Sequence, residues 1–191
     1  MSPYIASTAT LFMLGMDIRL YRKPFIDCQL VRQITWFPIK SIGYSNLKLA
    51  MGLSGGKPEV SLHPAGAAPV DRLPESIGRQ ENALGVIVDG ESWAVGVNPG
   101  KFSQWSRSLH GDYVQTPAYR ALFFASLLLS GRDKVDVLVT GLPVSQWLDA
   151  SKQEALAKKL TGWHRDTPRH EVEVSTVWVV PQPIGGYLDL L

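Results

Sequence analysis

Apolar and polar positions change period several times along the chain, and the changes mark its elements. Trp36, Phe37 and Ile39 form an apolar run leading into Ser41-Ile42-Gly43-Tyr44-Ser45-Asn46-Leu47-Lys48. Leu47, Leu49 and Met51 lead out of it in alternation with polar residues. Alternation of this kind argues for a half-buried strand, and Gly, Ser and Asn between two such arms argue for a turn. The stretch therefore predicts a β-hairpin with Lys48 just inside its second strand. Pro38 sits within the first arm. Proline removes a ladder donor, so that strand is weakly encoded.

Residues 52–84 carry nine glycines and prolines, from Gly52 to Gly78. They predict a loop-rich connection with one short strand over 59–62. Residues 85–97 read as a clear hairpin, with Asp89-Gly90 supplying the positive-φ turn between two β-rich arms. Residues 102–107 suit a helical turn or a loop. Thr116-Pro117 then opens a helix, as N-cap and first helical position, and Gly131 closes it. The body of that helix is apolar on nearly every face (Leu122, Phe123, Phe124, Leu127, Leu128), which predicts burial between other elements.

A strand follows over 135–140, ended by Gly141-Leu142-Pro143. Ser151-Lys152-Gln153-Glu154 has the spacing of a capping box for a helix reaching 160, with Gly162 as its stop. Residues 171–180 predict a long strand, broken by Pro181-Gln182-Pro183, and 184–191 suit the start of a further helix. Residues 1–35 show no sustained period. The order of elements is that of a mixed α/β domain.

Composition narrows the function classes. The chain has 191 residues, 45% hydrophobic and 19% charged, enough to bury a sizeable core. The formal net charge is +2 and the basic residues are scattered, so no nucleic-acid contact is expected. Cys28 is the single cysteine, which excludes a disulfide or a cysteine-based zinc site within one chain. The four histidines lack ligand spacing, and no metal-ligating set is expected. Residues 9–16 are apolar but short and follow no basic segment, so neither a signal peptide nor a membrane span is expected. The default location is the cytoplasm.

The hairpin tip carries the candidate chemistry. Backbone amides at Gly43 and Tyr44, with the Ser45 and Asn46 side chains, can donate to a phosphate, and Lys48 can supply charge. An ordinary turn uses the same residues. Neither a Walker A loop nor a G-x-G-x-x-G fingerprint is present.

Several stretches taken together resemble bacterial actin-like plasmid-segregation proteins of the ParM/StbA type. Gly43-Tyr44-Ser45-Asn46-Leu47-Lys48-Leu49-Ala50 resembles their phosphate-1 loop, and Trp93-Ala94-Val95-Gly96 the strand that follows it. Thr116-Pro117-Ala118-Tyr119-Arg120-Ala121-Leu122 is similar to their Thr-Pro-x-Tyr-x-x-Leu helix start. Val139-Thr140-Gly141-Leu142-Pro143 resembles a Gly-Leu-Pro strand end. Val179-Val180-Pro181-Gln182-Pro183 with Gly185-Gly186-Tyr187 resembles the approach to their connecting helix. The likeness covers residues 41–191 and leaves 1–40 as an atypical N-terminal segment.

The resemblance implies the first half of an actin-like fold, in the ribonuclease H-like superfamily of actin, sugar kinases and chaperone ATPases. It implies ATP with Mg2+ as cofactor, with Gly43, Tyr44, Ser45, Asn46 and Lys48 at the phosphates and Gln182 orienting the attacking water. It implies self-association, or association with a full-length homologue, into filaments, and a plasmid partition adaptor as partner. The family's strand before the loop ends in Asp-x-Gly, whereas Ser41-Ile42-Gly43 stands here. A neutral hydroxyl cannot replace a carboxylate near a divalent cation, and the family's second domain would lie beyond Leu191. Impaired hydrolysis is therefore expected. Two other readings remain: a non-catalytic module that binds filaments of a complete homologue, and a sugar-kinase-like fragment, for which no carboxylate base motif is evident.

Overall fold

The computed structural model describes residues 37–42, 46–53, 57–73, 83–97 and 113–182. The sequence-predicted elements over 102–107 and 184–191, and the segment 1–35, lie outside them.

The hairpin expected near residue 44 is formed by β1 (Phe37–Ile42) and β2 (Asn46–Gly52), antiparallel from Phe37–Gly52 to Ile42–Leu47. Leu47 and Leu49 are buried while Asn46 and Lys48 are exposed, as a pleated strand with one covered face requires. Pro38 is accommodated at the second position of β1. It precedes Ile39 and Lys40, which pair with Val139 and Thr140 on the other side, so its missing donor falls at the strand start.

The connection after β2 holds more structure than its glycines and prolines predict. β3 (Glu59–Pro64) continues the sheet against β2. β4 (Gly66–Pro69), with all four residues buried, was not legible because Gly-Ala-Ala-Pro has low β propensity. Its small residues are needed because it packs closely: a Cβ on Gly66 would lie 2.0 Å from the Val97 carbonyl oxygen. A 3-10 turn, Val70–Arg72, follows. β5 (Leu84–Val88) and β6 (Glu91–Val97) form the predicted hairpin, with Asp89 at φ 51° and Gly90 at φ 84° in its turn.

A 3-10 turn, Tyr113–Gln115, leads to α1 (Pro117–Ser130). Its start and stop are those the sequence predicts. The Tyr119 N–H donates to Thr116 Oγ1 (3.2 Å), and Gly131 closes the helix at φ 60°. α1 is apolar all round because both sides are covered. It touches β4, β5 and β6 on one side and β1, β2 and β8 on the other.

β7 (Lys134–Leu142) runs two residues past the predicted end, since Gly141 and Leu142 still pair with Val180 and Pro181. α2 (Val144–Trp147) and α3 (Ala150–Leu160) follow. The cap of α3 is Asp149 rather than Ser151. Asp149 Oδ1 accepts from the Ser151 N–H (3.0 Å) and from Ser151 Oγ (2.6 Å), so the expected capping box is replaced by a cap two residues earlier. Gly162, at φ 107°, opens a strand that the sequence reading did not contain, β8 (Gly162–Thr167). β8 turns back into β9 (His170–Pro181).

Among the described residues the strands form a six-stranded sheet, ordered β3-β2-β1-β7-β9-β8, and a three-stranded sheet, ordered β4-β6-β5. β1, β7 and β9 are parallel neighbours, β2 and β8 pair antiparallel with β1 and β9, and β3 pairs antiparallel with β2. The main core lies between the sheets, around Leu122, Phe123 and Leu127 of α1, Leu138 and Leu142 of β7, and Leu156 and Leu160 of α3. Phe123 packs edge-on against the His164 ring at 4.9 Å, and His164 Nε2 donates to the Leu160 carbonyl (2.9 Å). Val137 and Val139 face the opposite side of the large sheet with Trp178 and Val180.

Candidate functional site

Parallel strands in a mixed sheet place their carboxyl ends together, and ligands of such sheets bind outside those ends. Here β1 ends at Ile42, β7 at Leu142 and β9 at Pro181. The pairings Lys40–Thr140 and Leu142–Pro181 bring these ends level. The end of β1 and the Pro181-Gln182 turn thus lie at one edge of the sheet, although some 140 residues separate them in sequence.

Of the sequence-predicted residues, Gly43, Tyr44 and Ser45 lie outside the described residues. Asn46 opens β2 and is exposed. Lys48 is exposed on the face opposite Leu47 and Leu49, and its cross-strand partners are Ser41 and Leu62, neither of them acidic. Continuing the register by one step from Lys40–Thr140 sets Ser41 level with Gly141. A row therefore crosses the sheet as Leu62, Lys48, Ser41, Gly141 and Val180. Lys48 and Gly141 stand two strands apart, about 10 Å. An extended lysine spans most of that distance.

Gln182 follows the last residue of β9 and is exposed. Its N–H donates to the Leu142 carbonyl (2.8 Å), and its side-chain Nε2 donates to the Gly141 carbonyl at 3.5 Å. Gln182 is thereby tied to the end of β7, and the structure brings it to the same sheet edge as Asn46 and Lys48.

The strand end is braced from the core side. Thr140 and Leu142 are both buried toward α1, and Thr140 Oγ1 lies 3.3 Å from the Tyr119 hydroxyl. Burial pushes the Tyr119 phenol up to about 12, opposed by the hydrogen bond with Thr140. In the sequence Thr140-Gly141 reads only as a strand end and Tyr119 only as part of a helix start. Their pairing carries no local sequence signal, because it joins residues 21 apart across a sheet–helix interface.

A cationic ammonium and two exposed carboxamides are groups that can pair with a phosphate. They do not suit a hard divalent cation held by protein carboxylates. Among the described residues no group of three or more His, Cys, Asp or Glu side chains could hold a metal. Among the described residues, too, no helix is long and apolar enough to cross a membrane.

Residues 42–185 match the family model "Actin like proteins N terminal domain". No curated protein matches the chain. Among solved structures, the chain is similar to apo psk41 ParM, at 19% identity and a TM-score of 0.55, over 81% of this chain and 52% of that one. It is also similar to AlfA in a filament bound to AMPPNP, at 12% identity and a TM-score of 0.53, over 76% and 54%. A third is ParM of a 15-stranded filament from Clostridium botulinum, at 12% identity and a TM-score of 0.52, over 78% and 48%. At these identities the likeness is one of fold, and the chain spans about half the length of these relatives. With its actin-like architecture and a family match over most of its length, the chain belongs to the actin-like proteins, through their N-terminal domain.

Proposed function

We propose that this chain supplies the phosphate-binding half of an actin-like nucleotide site, in a protein that assembles into filaments for plasmid segregation. The observation that carries the reading is the placement of Asn46, Lys48 and Gln182 at one edge of the β1-β7-β9 sheet. ATP, when bound with Mg2+, supplies the phosphoryl group and its charge. The chain's own residues bind and orient: Lys48 neutralises phosphate charge, Asn46 and the Gly43-Tyr44-Ser45 tip donate hydrogen bonds, and the Gln182 carboxamide positions a water. Ser41, at the register position level with Gly141, is neutral, so turnover by this chain is weak or absent. The partners are further copies of this chain or a full-length homologue, and a partition adaptor.

Titration calorimetry with Mg-ATP tests the reading. Measurable binding that Lys48→Ala weakens about tenfold or more is expected. Identical heats for the two chains sink it. Tight binding accompanied by rapid turnover contradicts the assignment of a half-site.

The second reading, a non-catalytic module that joins filaments of a complete homologue, is favoured by the neutral Ser41 where the resembled loop carries a carboxylate. It predicts co-sedimentation with such filaments without nucleotide binding by the chain itself.

A further inference from the structure

We propose that Gly141 is a positioning residue, and that its missing side chain is the seat over which the Gln182 side chain lies. What the carboxamide then does rests on the proposed function above, while the seat itself is a matter of geometry. A Cβ built on Gly141 would come 2.6 Å from Gln182 Cγ, 3.4 Å from its Cα and 3.6 Å from its Cβ. The first of these distances is closer than real Cβ contacts come. Cγ is in the middle of the side chain, so swinging the terminal amide does not relieve the contact. Either Gln182 changes its χ1 rotamer or the strand end moves.

The strand end is poorly placed to move. Its two neighbours point the other way into the core. Thr140, 1% exposed, meets the Tyr119 hydroxyl, and Leu142, 1% exposed, packs in the main cluster. Gly141 and Leu142 are also paired with Val180 and Pro181 of β9. On the other side, the Gln182 backbone is fixed by its N–H bond to the Leu142 carbonyl (2.8 Å). With both backbones held, a side chain at 141 displaces the side chain of Gln182. The glycine of Gly-Leu-Pro is thus a requirement of Gln182, a residue 41 positions later, rather than of a turn.

A double-variant cycle on the full chain tests this: wild type, Gly141→Ala, Gln182→Ala and the double variant. Gly141→Ala is expected to lower the thermal midpoint by about 4 °C. In the Gln182→Ala background, at least half of that loss should disappear. An equal loss in both backgrounds overturns the seat. If Gly141→Ala alone fails to fold, a folded double variant supports the seat and an unfolded one overturns it. The Gln182 side-chain amide resonance, identified by its loss in Gln182→Ala, should shift in Gly141→Ala. An unmoved resonance overturns the proposal, since a structural role for Gly141 elsewhere would leave it in place. Thermal coupling in chains that bind no Mg-ATP sinks the nucleotide reading and leaves the seat. Additive losses with Mg-ATP binding intact sink the seat and leave the nucleotide reading.

Discussion

The Tyr119 hydroxyl lies 3.3 Å from the Thr140 hydroxyl, both are buried, and the contact joins the first turn of α1 to the last third of β7. Burial raises the phenol's pKa from its ordinary 10.0 to about 12, so the folded state favours the neutral form. The stability linked to this shift is fully present below pH 10 and is lost as pH rises through about 12. The loss over that window is about 3 kcal/mol. Denaturant melts between pH 9 and 12 should show a slope that Tyr119→Phe flattens. Difference ultraviolet titration against Tyr119→Phe should show this phenol ionising well above its ordinary 10.0. Ionisation near 10 without loss of structure would contradict the assignment.

At neutral pH the same substitution leaves the Thr140 hydroxyl without that partner in a buried position. A loss of about 1–2 kcal/mol in urea melts is expected. Thr140→Val in the Tyr119→Phe background should recover part of it, because removing both polar groups leaves no unmet hydrogen bond.

Phe123 is 1% exposed and fills the space between α1 and the β8 strand carrying His164. Phe123→Ala should cost about 3–5 kcal/mol, the range for emptying a large aromatic site in a core. Chemical denaturation measures it directly. A loss below about 1 kcal/mol would mean that the two sheets do not enclose this helix as described.

Gly66 and Gly85 give a paired test of the small sheet. A Cβ at Gly66 meets a backbone oxygen at 2.0 Å, whereas one at Gly85 meets nothing within 4 Å. Gly66→Ala should destabilise by about 3 kcal/mol or more, because a backbone atom cannot step aside. Gly85→Ala should be neutral or slightly stabilising, since it lowers the entropy of the unfolded chain. Comparable melts for the two variants would refute the placement of β4 against β6.

Asp149 accepts two hydrogen bonds from Ser151 at the start of α3, and these hold its carboxyl below the usual carboxylate range. The stabilising effect is present above the ordinary carboxylate pKa of about 4 and fades as pH falls through the lower folded value. Asp149→Ala should melt below wild type at pH 7, with the gap narrowing in strong acid. Asp149→Asn, which can still cap, should lie between them. A gap independent of pH would remove the charge from the explanation.

Elements with their own local punctuation were legible in the chain itself. α1 carries Thr116, Pro117 and Gly131 at its ends, and the β5–β6 hairpin carries Asp89-Gly90, so boundaries and type follow from φ preferences and capping alone. β4 and β8 were not legible. β4 is made of small residues because it must pass close to Val97, and β8 is a polar strand whose exposed Trp163 breaks the expected pattern. The Asp149 cap was missed because Ser-x-x-Glu offered a familiar alternative two residues on.

Residue order by itself determined the mixed α/β class, the central buried helix, and the set of spaced stretches that resembles the actin-like proteins. These rest on short-range periodicity and turn chemistry, which neighbouring residues express without help. The company each candidate residue keeps was decided only by tertiary structure. Lys48 comes level with Gly141, and Gln182 folds over that glycine, because β1, β7 and β9 lie side by side in one register. That register depends on packing α1 between two sheets, a contact among residues far apart in sequence that no local pattern encodes.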